Sequence, residues 1–119
     1  MTSAIRILIK KLEDTRVTIL TPARGNVRII SSDEDHILKF TDEEHTLGAI
    51  LQYLVLKTNS NVSENGFIGY RVPHPLSNEM VVRIRAPELT LEKMKEVFVN
   101  AINYGIETYT RILSSMPSE

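Results

Sequence analysis

The chain has 119 residues, 42% apolar and 24% charged, which suits one domain with a real core. Fourteen Lys and Arg against fifteen Asp and Glu leave a net charge of −1, which argues against binding nucleic acid through a basic surface. Cys is absent, which excludes disulfides, thiol catalysis and zinc–thiolate sites. No apolar run approaches the roughly 20 residues of a membrane span. Met1 to Lys10 lacks the charged start, long apolar stretch and cleavage site of a signal peptide. The expectation is one soluble, intracellular domain over residues 1–119.

Charge is unevenly placed. Residues 1–30 carry six basic and two acidic side chains, and residues 31–45 carry one basic and six acidic. A basic first third could meet an acidic neighbour, but without interleaved aromatics it is no stacking platform for bases. The acidic stretch (Asp33, Glu34, Asp35, Asp42, Glu43, Glu44) reads most simply as a solvated loop and the acidic approach to a helix. A metal site from Glu43, Glu44 and His45 is the sharper alternative. It is disfavoured because sequence neighbours rarely point at one ion and no second His completes a set.

In chain order, Ala4 to Lys10 is apolar and rich in β-branched residues and is expected to be a strand. Arg16 to Leu20 and Asn26 to Ile30 are shorter strand candidates around the turn-like segment Thr21 to Gly25. Residues 1–30 thus read as a basic, strand-forming region. Ile37 to Phe40 is a further strand. The period then changes: Leu47, Ile50, Leu51, Leu54 and Val55 mark an amphipathic helix from about residue 46 to 58, with Thr46 as its expected N-cap. Asn59 to Gly66 reads as a polar loop. Phe67 to Val72 and Met80 to Arg85 are strands, and Pro73-His74-Pro75 between them ends a strand or lies on an edge, since proline donates nothing to a ladder.

Thr90 is the expected N-cap of a long helix reaching about residue 115. Its stripe runs through Leu91, Met94, Val97, Phe98, Ala101, Ile102, Tyr109, Ile112, Leu113 and Met116. Gly105 lies on the stripe and costs the helix about 1 kcal/mol against Ala. Either the helix tolerates it, or another helix crosses closely there. The expected fold is α+β, an antiparallel sheet with two helices on one face, the C-terminal one long. The stripe is longer than so small a domain hides by itself, so a partner chain is expected to cover the remainder.

Tests for enzyme chemistry find little. There is no nucleophile elbow, phosphate loop or dinucleotide fingerprint. Glu43 and Glu44 are adjacent, a weak arrangement for acid–base work. His45 reads as a residue of the helix start, and His74 as part of a rigid turn between prolines. The reading is of a noncatalytic protein with no cofactor and no metal.

Two segments carry a more specific signal: Glu43-Glu44-His45-Thr46-Leu47-Gly48 opening a helix, and Phe67-Ile68-Gly69-Tyr70-Arg71-Val72-Pro73-His74-Pro75 followed by Val82-Arg83-Ile84-Arg85. In this order, with a long terminal helix, they resemble the small alpha-like subunit of archaeal and eukaryotic RNA polymerases across residues 36–115. Gly69 and Pro73 make the chain most similar to the version shared by RNA polymerases I and III. Ala49, Gln52 and Glu44 depart from the usual Asn, Arg and Asp.

The resemblance implies a noncatalytic assembly subunit that pairs with a larger alpha-like subunit and other core polymerase subunits, in the nucleus and nucleolus, without sequence-specific nucleic-acid binding. By position, its partner interface would use Leu47, Gly48, Leu51 and Leu54 on the first helix. On the second it would use Met94, Phe98, Ala101, Gly105, Tyr109 and Ile112. Glu44, His45, Thr46, Gly69, Tyr70, Pro73, His74 and Pro75 would be structural residues of the motifs. The alternatives are a stand-alone homodimeric α+β module, the polymerase II or archaeal counterpart of the same subunit, and a hydrolase or metal-dependent enzyme using His45, His74 and the acidic run.

Overall fold

The computed structural model describes residues 2–22, 25, 27–41, 45–73, 76 and 78–115, the side chains of Thr2, Ser3 and His45 excepted. Helix α1 (Thr2–Leu20) is followed by strands β1 (Val27–Ser32) and β2 (Asp35–Thr41). Helices α2 (His45–Thr58) and α3 (Ser60–Asn65) come next, then β3 (Phe67–Arg71), β4 (Glu79–Arg85) and α4 (Leu91–Ser115). The strands form one antiparallel sheet in the order β1-β2-β4-β3. Among the described residues no helix is long and apolar enough to cross a membrane.

Alternation sets the two sheet faces. His36, Leu38 and Phe40 of β2 and Met80, Val82 and Ile84 of β4 are all buried on one face. Helix α2 lies on β3 and β4 and packs against α4, and α1 runs along α4. The result is the expected α+β architecture with a long terminal helix, plus one long helix that sequence reading assigned otherwise. Strand β3 stands at the sheet edge and ends at Arg71, so Pro73 follows it without interrupting a ladder.

The largest departure is α1. The strands expected at Ala4 to Lys10 and Arg16 to Leu20 are a single 19-residue helix. Eight of its residues are β-branched, the composition that suggested strands. The spacing that decides the outcome spans both segments. Ile5, Leu8, Leu12, Thr15 and Ile19 recur every three or four residues, and Leu12, Thr15 and Ile19 are buried. Packing of that stripe on α4 outweighs weak local helix propensity. Thr15 places its hydroxyl on the Lys11 carbonyl at 2.7 Å, which satisfies the one polar group of the stripe.

Three smaller corrections follow from local hydrogen bonding. Helix α2 begins at His45, so Thr46 lies inside its first turn and is not the N-cap. The expected loop after α2 contains the short helix α3, which Asn59 caps by accepting from the Val62 amide at 3.0 Å. The acidic stretch is not merely solvated at its start. Asp33 (φ 49°) makes the β1–β2 turn in the left-handed conformation that Asp tolerates. Glu34 accepts from the Glu88 amide with its carboxylate and from the Ala86 amide with its carbonyl, clasping the β4–α4 loop. Asp42, Glu43 and Glu44 lie outside the described residues. Thr90 caps α4 as expected, accepting from the Lys93 amide at 3.3 Å.

Candidate functional site

The residues singled out on the two helices of the sequence motif converge in space. Leu47, Gly48, Leu51 and Leu54 of α2 face the core, as do Met94, Phe98, Ala101 and Gly105 of α4. Tyr109 is half-buried, and Ile112, further along α4, is 42% exposed. The resemblance implies that all ten belong to a partner interface. In the free chain eight are interior: α2 is seated on β3 and β4 and packs against α4, and α1 covers the side of α4 that carries Gly105. Leu8, Ile106 and Tyr109 pack around the same cluster.

Gly105 marks the crossing of three helices. A β-carbon built there would stand 2.7 Å from Leu54 Cδ1 of α2 and 3.4 Å from Leu12 Cδ1 of α1. The close crossing left open on sequence grounds is therefore present, and it is intramolecular. Beside it, the Arg16 guanidinium donates to the Asn103 side-chain oxygen at 2.6 Å, tying α1 to α4.

Gly48 joins the two sequence motifs. A β-carbon there would fall on the Tyr70 ring, 2.6 Å from Cγ, and 2.9 Å from Met80 Sδ. The glycine thus lets α2 sit directly on the β3–β4 pair, with the Tyr70 ring filling the vacated space. Gly69 lies on the opposite sheet face, paired with Arg83. Glu44, His74 and Pro75 lie outside the described residues, as does the side chain of His45, so the structure brings none of them to the site. Pro73 is exposed beyond the end of β3.

His36 was not singled out, although its parity with Leu38 and Phe40 along β2 points it inward. Its ring is fully buried. Nε2 lies 2.6 Å from the Leu89 carbonyl and Nδ1 lies 2.8 Å from the Ser31 hydroxyl. An Nε2–H imidazole satisfies both contacts, donating to the carbonyl and accepting from the hydroxyl. The histidine therefore bolts the β1–β2 hairpin to the loop before α4, a structural duty.

The sheet face turned away from the helices carries Arg28, Lys39, Arg71, Arg83 and Arg85 with Asp35 and Glu79. A shallow groove of about 370 Å³ runs there past Ile37, Phe67, Gly69, Val81 and Arg83. The Arg83 guanidinium grips Asp35 at both oxygens, 3.0 and 2.6 Å, across the β2–β4 pair. Those hydrogen bonds hold the Asp35 carboxyl below the usual carboxylate range. Among the described residues no three of His, Asp and Glu are grouped to hold a metal ion.

The chain is thus an apolar helix layer on a four-stranded sheet, with Gly48 at the helix–sheet contact and Gly105 at the helix crossing. Residues 35–115 match the family model of the RNA polymerase Rpb3/Rpb11 dimerisation domain. The chain belongs to the Rpb3/Rpb11 dimerisation-domain family. The matched span holds β2 through α4, so α1 and β1 precede it.

Relatives within this family are polymerase subunits. The chain is 47% identical over 62 residues to the DNA-directed RNA polymerases I and III subunit rpc19 of Dictyostelium discoideum, covering 51% of this chain and 50% of that protein. It is 40% identical over 69 residues to the RNA polymerases I and III subunit RPAC2 of Saccharomyces cerevisiae, covering 54% and 46%. It is 36% identical over 59 residues to the RNA polymerase subunit Rpo11 of Saccharolobus solfataricus, covering 49% and 60%. The matches thus span about half the length of these curated relatives.

Proposed function

We propose that this chain is a noncatalytic assembly subunit of DNA-directed RNA polymerase. It pairs with a larger alpha-like subunit, and the heterodimer forms the platform on which the catalytic subunits gather. The observation that carries this reading is the dimerisation-domain match across 35–115, the span that contains the α2–α4 layer. Two relatives named as subunits of polymerases I and III support assignment to those two enzymes, and with it a nuclear and nucleolar location. The archaeal relative favours the runner-up, the counterpart subunit of another polymerase. The reading requires no cofactor or metal of this chain. Gly105 and the stripe from Met94 to Ile112 on α4, with Leu47 to Leu54 on α2, are its proposed pairing residues.

Leu51 and Phe98 are fully buried in the chain's own core, so aspartate there would unfold the domain before it tested pairing. Affinity purification of the tagged chain from its native cells, followed by mass spectrometry, avoids that problem. Co-purification of an alpha-like subunit with the largest subunits of polymerases I and III is the expected result. Recovery with a different polymerase alone would overturn the class and keep the assembly role. Recovery of no polymerase subunit would overturn both and leave the stand-alone homodimer to be pursued.

A further inference from the structure

We propose that α1 is a displaceable cover: in the free chain Thr2–Leu20 occupies the side of α4 that the larger alpha-like subunit takes on pairing. The proposal rests on the pairing reading above and adds a competition to it. Helix α1 lies outside the matched dimerisation domain, yet it packs along the longest helix of that domain. It seats Leu12 at Gly105, the point where a missing side chain permits a close crossing. Leu54 of α2 and Leu12 of α1 together fill the space above the glycine, so an incoming helix reaches it only by taking the place of Leu12. An incoming helix and α1 are therefore mutually exclusive at that position.

The make-up of α1 suits a cover that comes off. With eight β-branched residues in 19 it is a weak helix that depends on the surface it lies on. Its contact stripe includes a threonine, Thr15, whose hydroxyl turns back to its own helix at Lys11. It also leaves Ile7, Val17 and Leu20 more than half exposed on its other sides. Displacing α1 uncovers Leu12 and Ile19, both fully buried, so the partner has to bury a comparable apolar area on α4. Partner affinity is then reduced by the fraction of chains whose cover is closed.

The chain has no cysteine, which makes a crosslinking test clean. In the double variant Arg16→Cys with Asn103→Cys, a short reducible bismaleimide joins α1 to α4 at the place where these two side chains meet. Binding to the larger alpha-like subunit from the same cells is measured before and after reduction of the linker. The expected result is that the locked chain binds at least about tenfold more weakly than the same chain after reduction. Hydrogen exchange of the wild-type chain gives the second readout: amides of residues 5–19 should lose protection on pairing. Equal binding by locked and released chain, or undiminished protection of α1 in the heterodimer, would overturn the cover. If the uncrosslinked wild-type chain does not bind the subunit at all, the pairing reading itself fails and the cover with it.

Discussion

Gly48→Ala is the substitution whose effect the structure determines most closely. The new methyl would overlap the Tyr70 ring, 2.6 Å from Cγ, and stand 2.9 Å from Met80 Sδ. Met80 ends in a flexible thioether and can yield. Tyr70 Cγ is the root of a rigid ring wedged between α2 and the sheet, so it moves only with its backbone or its rotamer. Overpacking of this kind costs about 1–3 kcal/mol, and a clash at a ring root belongs in the upper half of that range. Replacing glycine inside a helix returns about 1 kcal/mol. The net expectation is a loss of about 1–2 kcal/mol, seen as a lower urea midpoint with an unchanged slope. At this chain length that is a fall of about 4–8 °C in Tm. A double-mutant cycle isolates the cause: in a Tyr70→Ala background the same Gly48→Ala change should be neutral or stabilising by up to about 1 kcal/mol. Wild-type stability for Gly48→Ala, or an equal loss in both backgrounds, would refute the contact argument.

At Gly105 the same reasoning gives a different answer. The atoms nearest a new methyl are the ends of Leu54 and Leu12, which can rotate away, so Gly105→Ala should change the urea midpoint by no more than the equivalent of about 1 kcal/mol. His36→Leu keeps the volume but leaves the Leu89 carbonyl without its donor, and should cost about 1–3 kcal/mol by the same measurement. Asp35 has a lowered folded-state pKa because of its hydrogen bonds to Arg83. Its contribution is complete above the unfolded carboxylate pKa and is lost as pH falls through the lower folded value. Asp35→Asn should therefore be less stable than wild type at neutral pH, and the gap should close under acid; a gap that stays constant with pH would show that the ion pair is not its source.

Much of this protein was determined by local pattern alone. The alternation of β2 and β4, the three-and-four spacing of α2 and α4, and the Thr90 cap each follow from contacts within an element and its immediate neighbours. So did the motif pair around Gly48 and Tyr70, which proved to be one contact in space. Tertiary structure decided the rest where local preference and packing disagree. The β-branched residues of Thr2–Leu20 favour a strand one segment at a time, and only the groove along α4 rewards Leu8, Leu12, Thr15 and Ile19 for sharing a helical face. The same event settled the state of the proposed pairing residues. A sequence can show that the stripe of α4 requires a cover, because exposed apolar surface must be removed from water. It cannot show which segment supplies that cover, because burial is indifferent to chain connectivity and depends only on what reaches the surface and fits beside Gly105.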